Sequence, residues 1–183
     1  GPRSQVVETR RSSLVIDPPD GRVPLRPEAE ERRDYLVEYR ADQIENMSVY
    51  SRCITRGVPG TMFPQVYNNG YQILQIPGYV VIRPEMMHIR IIPLDGRPHM
   101  SESIRQYPGD SRGHWDGDTL VIETSHFNDK SAWQGSSRDL KVIERFTRTG
   151  DDSIHFEFTV EDAATWDQSW SAEIPMMSTE GPM

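Results

Sequence analysis

Residues 109 to 124, GDSRGHWDGDTLVIET, decide the fold because they join two strand-like segments through a strong turn signal. The dipeptide Asp116-Gly117 is typical of a two-residue β-hairpin turn, since Asp and Gly tolerate the positive φ angles that such turns require. A turn at these two residues predicts an antiparallel hairpin in which Arg112 faces Val121.

The alternation of side chains along a strand divides this hairpin into two faces. One face carries charged and histidine side chains, namely Asp110, Arg112, His114 and Glu123. The other face carries Trp115, Leu120 and Ile122. In a β-sandwich the charged face would be solvated, whereas in a barrel that holds a ligand some of it could line the lumen.

A second Asp-Gly dipeptide, at residues 95–96, predicts another hairpin, in which Ile92 faces His99. Pro98 argues against this hairpin, because proline cannot donate a hydrogen bond within a sheet. The preceding segment, 86–94, carries apolar residues on both faces, which favours a position for His88 inside a lumen.

The rest of the chain predicts a mainly β protein with one helix. Pro27 opens a stretch with apolar residues at helical spacing, which predicts an amphipathic N-terminal helix over 28–47. The flanking segments 1–27 and 48–69 are rich in proline and glycine, and we expect them to be strap-like arms or long Pro-rich loops.

Seven short apolar or alternating segments separated by turn residues predict the β-strands. They are 70–76, 79–83, 86–94, 118–124, 140–148, 153–160 and 169–175. No helical pattern lies between them, so the sequence favours an antiparallel β-barrel or sandwich with its core in 70–175. At 183 residues the chain is expected to form a single domain, 1–183.

Charge and composition exclude several classes of partner. The formal net charge is −8, which argues against binding to nucleic acid or to an anionic membrane surface. No apolar run approaches the roughly 20 residues that span a bilayer, so we expect no membrane insertion. Cys53 is the only cysteine and has no partner for a disulfide within the chain.

General acid–base catalysis is the chemistry that the polar residues favour. It needs a histidine or carboxylate tuned by burial, together with a group that stabilises developing negative charge. His88, with Glu85 close in sequence, is the candidate proton shuttle, and Tyr67 is the third candidate catalytic residue. Each has a structural alternative. His88 could be a core histidine whose hydrogen bonds are made within the protein, and Tyr67 could simply belong to a turn.

Further polar and aromatic residues are candidates for binding a substrate. They are Asn68, Asn69, Arg90, His99, Arg112 and Trp115. Arg112 has a structural alternative, an ion pair with Asp110 or Glu123 that locks the hairpin. The five histidines lack the short spacings of metal sites, and no dinucleotide or phosphate-binding motif is present, so no metal and no cofactor are expected.

Several long motifs resemble a widespread family of uncharacterised bacterial proteins. They are YNNGYQILQIPGYVVI, RPEMMHIRIIPLDGRPH, GDSRGHWDGDTLVIET, ERFTR and EFTVED. The β segments are similar to those of lipocalin-type or calycin-type barrels. The resemblance implies a periplasmic or secreted location, and a longer chain with a second cysteine that could pair with Cys53.

Two functions remain open at this point. The first is a cofactor-independent lyase, isomerase or cyclase that moves a proton within a pocket, on a small organic substrate such as an aromatic, terpenoid-like or polyketide-like molecule. The second is a non-catalytic, lipocalin-like carrier in which the same polar groups orient a ligand. A purely structural domain is a third alternative. The oligomeric state is also open, with a homo-oligomer as one option.

Overall fold

The computed structural model describes residues 12–66, 69–130 and 133–179 as a mainly β structure. Its strands are β1 (Val15–Asp17), β2 (Tyr71–Ile76), β3 (Tyr79–Pro84), β4 (Arg90–Pro93), β5 (Asp110–Asp116), β6 (Thr119–Ser125), β7 (Lys141–Arg148), β8 (Ser153–Glu161) and β9 (Trp170–Met177). One α-helix, α1 (Pro27–Glu38), and one short 3-10 helix, Gly60–Met62, complete the described elements. The predicted mainly β, antiparallel class is confirmed.

The strands form two antiparallel sheets. The large sheet has the order β1-β9-β8-β7-β6-β5, so its last five strands form a continuous meander and β1 adds to the edge at β9. The small sheet has the order β2-β3-β4. Within the described ranges no strand pairing joins the two sheets into a closed barrel, so the predicted barrel type is not confirmed.

The core lies between the two sheets. Val80 and Ile82 from β3 and Ile92 from β4 are at most 1% exposed, and they join one apolar cluster with the large sheet. From β7 and β8 that cluster takes alternate side chains, such as Val142 and Phe158. This alternation gives the large sheet an inner face against the small sheet and an outer face away from it.

The hairpin of β5 and β6 has the predicted faces with a different turn. Gly117 and Asp118 form the turn, Gly117 has a φ of 58°, and Asp116 pairs with Thr119. Glycine takes the first turn position because that position requires positive φ. The pairing therefore moves by two residues along β6, and Arg112 faces Glu123 instead of the residue predicted. A shift of two keeps each side chain on its face.

The predicted hairpin at Asp95-Gly96 is wrong. The guanidinium of Arg97 folds back onto the carboxylate of Asp95, with Nε 2.8 Å from Oδ1, and no strand follows before β5 within the described residues. Pro98 explains the failure, because it has no N–H to donate to a ladder. His99 therefore lies in the loop between β4 and β5 and does not face Ile92.

The helix is shorter than the predicted 28–47 and is hardly amphipathic. It ends at Glu38, and the side chain of Asn46 donates a 3.0 Å hydrogen bond to the carbonyl of Tyr39 at the helix end. Turns follow as far as Met47, in a segment that contains Asp42 and Asn46, two residues that favour turns. Among the helical residues only Ala29 is buried.

The segment predicted as strand 86–94 is extended only from Arg90 to Pro93. A bend at Glu85–Met87 precedes it, and Met87 has a φ of 73°, which interrupts regular pairing. The arm 48–69 is more than a strap, since Val58 and Met62 lie in the core at 2% exposure each.

Candidate functional site

A cleft of about 1190 Å³ opens between the sheets, at the end of the large sheet that holds the β5–β6 and β7–β8 turns. Its wall is formed mainly by apolar side chains, most of them from the two sheets. They are Leu14, Met62, Tyr71, Ile73, Leu120, Phe146, Ile154, Ile174 and Met176. The inner faces of the strands thus continue past the packed core into an open, apolar concavity, which is the shape that small-molecule sites share.

The rim of the cleft is polar. It includes Asn69, Gln72, Gln75, Arg83, Asp118, Arg148, Asp151 and Asp152. Arg148 is held in place by hydrogen bonds to the carbonyls of Gly150, at 2.8 Å, and Asp151, at 2.7 Å. Both signs of charge stand at the entrance, so the rim can meet a polar group of either sign on a ligand.

Tyr71 is a tethered member of the cleft wall. Its hydroxyl donates a 2.8 Å hydrogen bond to the carbonyl of Thr61. Burial raises the pKa of the Tyr71 phenol, and the positive charge of Arg56 opposes the rise only in part. The hydroxyl is therefore kept neutral and occupied, which suits a structural role better than proton transfer.

Of the predicted site residues that the structure describes, Trp115 and Asn69 line the cleft. Trp115 stands on the inner face of β5 and is 46% exposed there. The side-chain amide of Asn69 accepts a hydrogen bond from the backbone N–H of Gln65 and donates one to its carbonyl, each at 2.7 Å. Tyr67 and Asn68, the other predicted residues of this loop, lie outside the described residues.

Arg90 lies between the two sheets and is 5% exposed. Its guanidinium makes a bidentate ion pair with the fully buried Glu144 of β7, with Nη1 to Oε1 at 2.9 Å and Nη2 to Oε2 at 2.5 Å. Nη2 also lies 3.2 Å from Thr124 Oγ1 and 3.3 Å from Ser111 Oγ. Protein acceptors thus hold both terminal nitrogens, and the predicted substrate contact is replaced by an inter-sheet bridge.

Glu144 was missed by sequence reasoning although the chain carries a signal for it. It lies between Val142 and Phe146 on the face of β7 that forms the core. A lone acid in that pattern requires a buried cation, because an unpaired carboxylate is costly to bury.

His88 and Glu85 lie on the surface before β4, so the expected lumen position of His88 is wrong. The strand that would have carried His88 inward begins only at Arg90. Partial loss of hydration lowers the pKa of His88, and the charge of Arg90 lowers it further. The carboxylate of Glu85 accepts a 3.4 Å hydrogen bond from the N–H of Gly70, and neither His88 nor Glu85 lines the cleft.

A second group of polar residues, the outer polar cluster, covers the outer face of β5 and β6. It consists of His99, Asp110, Arg112, Glu123, His126 and Lys141. The buried carboxylate of Asp110 is its centre: Oδ1 accepts from Arg112 Nη1 at 2.6 Å, and Oδ2 accepts from the N–H of Met100 at 3.0 Å. Nδ1 of His99 lies 2.9 Å from Oδ2. The predicted residues His99 and Arg112 thus meet, away from the cleft.

Each carboxylate of the outer polar cluster is stabilised in its charged form. Burial alone would raise the pKa of Asp110, but hydrogen bonds from Met100 N–H, His99 and Arg112 outweigh it and lower the pKa. For Glu123 burial is likewise outweighed, chiefly by Lys141, whose ammonium lies 2.9 Å away. The alternative proposed for Arg112, a fold-locking ion pair, matches these contacts.

His126 is a member of the cluster that no sequence pattern singles out. It follows β6 and has a φ of 59°, a left-handed conformation that few residues other than glycine adopt. Its ring stacks on that of His99, with centroids 5.3 Å apart. One donor atom each from His99, Asp110 and His126 lie within 4.8 Å of one another, a set that could hold a metal ion.

Among the residues that the structure describes, no helix is long and apolar enough to cross a membrane. Similarity to known proteins adds no constraint on the chemistry of the cleft or of the outer polar cluster. No protein-family model, no curated protein and no solved structure matches this chain.

Proposed function

We propose that the protein binds a small, mainly apolar organic molecule in the cleft between its two sheets. The observation that carries this proposal is the apolar wall of a cleft of about 1190 Å³, which exceeds the roughly 300–1,000 Å³ usual for small-molecule sites. Removing apolar surface of the ligand from water would supply about 25 cal/mol per Å² before the costs of association.

The ligand that fits best is elongated or polycyclic, with one polar end. Ile73, Phe146 and Ile154 would contact its apolar body, while the rim, with Arg83 and Asp118, would meet the polar end. Trp115 offers a flat aromatic surface at the entrance. Terpenoid-like and polyketide-like molecules have this chemistry, and a lipocalin-like mode of binding, between sheets rather than in a closed barrel, is part of the proposal.

The carrier function is favoured over the acid–base enzyme by the position of His88. The expected lyase, isomerase or cyclase needs a proton-transfer group facing the substrate. His88 and Glu85 are exposed and do not line the cleft, and the hydroxyl of Tyr71 is engaged by Thr61. Binding without chemistry is therefore the simpler use of this cleft.

Titration with the fluorescent apolar probe anilinonaphthalene sulfonate tests the proposal. Ile154→Lys places a charge in the cleft wall, and Ile91→Lys makes the same change at a residue that is 64% exposed on the small sheet, outside the cleft. We expect Ile154→Lys to weaken probe binding at least about tenfold, the equivalent of 1.4 kcal/mol. Ile91→Lys should leave it unchanged.

Two results would contradict the proposal. One is that the parent protein fails to enhance the emission of the probe. The other is that Ile91→Lys, and not Ile154→Lys, abolishes the enhancement, because the exposed face of the small sheet would then be the binding surface.

A further inference from the structure

Three potential metal ligands from separate parts of the chain meet in the outer polar cluster. His99 comes from the loop between β4 and β5, Asp110 from the start of β5, and His126 from the residue after β6. One donor atom of each lies within 4.8 Å of the other two. We propose that these residues bind a divalent transition metal ion of the zinc class.

The donor set decides the class of ion. Two imidazole nitrogens and one carboxylate oxygen are ligands that Zn²⁺, Co²⁺ and Ni²⁺ favour, whereas Ca²⁺ and Mg²⁺ favour all-oxygen sites. Three protein ligands also leave coordination positions for a further group. Oε1 of Glu102 lies 4.0 Å from Nε2 of His126, which makes this carboxylate a candidate for one of them.

A second set of contacts orients the two imidazole rings. Oε1 of Glu123 lies 3.4 Å from Nε2 of His99 and can accept a hydrogen bond from it, which leaves Nδ1, the nitrogen beside Asp110, for the metal. Oγ of Ser125 lies 2.8 Å from Nδ1 of His126, which leaves Nε2. Partners of this kind on the second ring nitrogen are typical of metal-binding histidines.

Among the described residues, the nearby cations leave Oδ2 of Asp110, the oxygen that the metal would bind, free of hydrogen bonds from arginine or lysine. Arg112 contacts Oδ1 of Asp110 and Lys141 contacts Oε2 of Glu123. Oδ2 of Asp110 faces His99, at 2.9 Å, so it can exchange that hydrogen bond for a metal bond. The carboxylate of Asp110 is already aligned by Arg112 and by the N–H of Met100.

His126 has a φ of 59°, and its ring packs against that of His99, with centroids 5.3 Å apart. A bound ion would fasten the loop that contains His99 to both strands of the β5–β6 hairpin. Metal binding should therefore stabilise the folded chain as well as occupy the site.

The experiment is a calorimetric titration of the full chain, freed of metal by chelation, with zinc chloride. His126→Asn removes a ligand, and asparagine tolerates the positive φ at this position, so the fold is preserved. His99→Gln removes a second ligand from a different segment. His155→Asn is the matched control, because His155 also lies on the outer face of the large sheet, 3.4 Å from the carboxylate of Glu173, without this set of ligands.

We expect one Zn²⁺ ion per chain in the parent and in His155→Asn, and at least about tenfold weaker binding in His126→Asn and in His99→Gln. Zinc should raise the melting temperature of the parent but not of His126→Asn. The proposal fails if the parent binds no zinc, if both ligand variants bind it as the parent does, or if His155→Asn weakens binding equally.

Discussion

The two faces of the β5–β6 hairpin have opposite environments although they come from the same sixteen residues. On the inner face Ser111 contacts Arg90 and Trp115 opens into the cleft. On the outer face Asp110 and Arg112 form an ion pair, backed by hydrogen bonds to the loop before β5. The difference shows that the face of a hairpin that carries the charges in the sequence need not be the face that lines a cleft.

Gly113 makes the close approach of the inner face possible. A Cβ at this position would come within 2.8 Å of Leu94 and 2.9 Å of Ile92, so any larger residue would force these two side chains to move. The inner face is therefore held by packing and by one buried ion pair, whereas the outer face is held by a network of polar contacts. These two modes of stabilisation respond differently to substitution.

Breaking the inner ion pair should have the largest effect on stability. Arg90→Met leaves the carboxylate of Glu144 buried without its cation, which should lower the free energy of unfolding by about 3–5 kcal/mol. Urea denaturation measures the loss.

Arg97→Met is the control for that substitution, because Arg97 pairs with Asp95 at the surface, where both side chains are nearly half exposed. We expect little change in its denaturation midpoint, since exposed ion pairs contribute little. Equal losses in the two variants would show that Arg90 does not bridge the sheets.

Breaking the outer network should have an intermediate effect that depends on pH. Asp110→Asn removes the charge that Arg112 and His99 contact, and we expect a loss of roughly 1–3 kcal/mol at neutral pH. Because the folded-state pKa of Asp110 is lowered, its contribution is complete above the unfolded-state pKa and disappears as the pH falls through the folded-state value. The parent and Asp110→Asn should therefore have nearly the same free energy of unfolding in acid.

Asp116→Asn makes the same chemical change on the same strand and serves as the control. Asp116 pairs with Arg145, but its side chain is 64% exposed. Urea denaturation across the acid range should therefore show a much smaller difference from the parent. A pH-independent loss in Asp110→Asn would mean that packing, and not charge, holds the outer face.

Changing the cleft residue of the hairpin should have the smallest effect on stability. Trp115 is 46% exposed, so Trp115→Phe should alter the free energy of unfolding by about 0.5 kcal/mol or less. The variant should, however, lose the change in tryptophan emission that an apolar ligand causes in the parent. A loss of stability as large as that of Asp110→Asn would identify Trp115 as a core anchor instead.

The sequence predicted which side chains share a strand face better than it predicted pairing register or the approach of distant segments. Alternation sufficed for the hairpin faces and for the fold class, whereas the Asp-Gly signal placed one turn a residue too early and predicted a hairpin at 95–96 that does not form. Whether Arg90 and His88 point into the protein depends on the residue at which β4 begins. That residue is set by the bend at Glu85–Met87, which no periodic pattern of apolar residues predicts. The meeting of His99 with His126 depends on the loop between β4 and β5, which no local pattern describes.

The central claim is that the inner face of the hairpin lines a ligand-binding cleft and the outer face does not. Nuclear magnetic resonance of isoleucine methyl groups during titration with the same apolar probe tests it most directly. We expect shifts for Ile73 and Ile154, which line the cleft, and none for Ile91 or for Ile143 on the outer face. Shifts confined to Ile91 or Ile143 would contradict the claim.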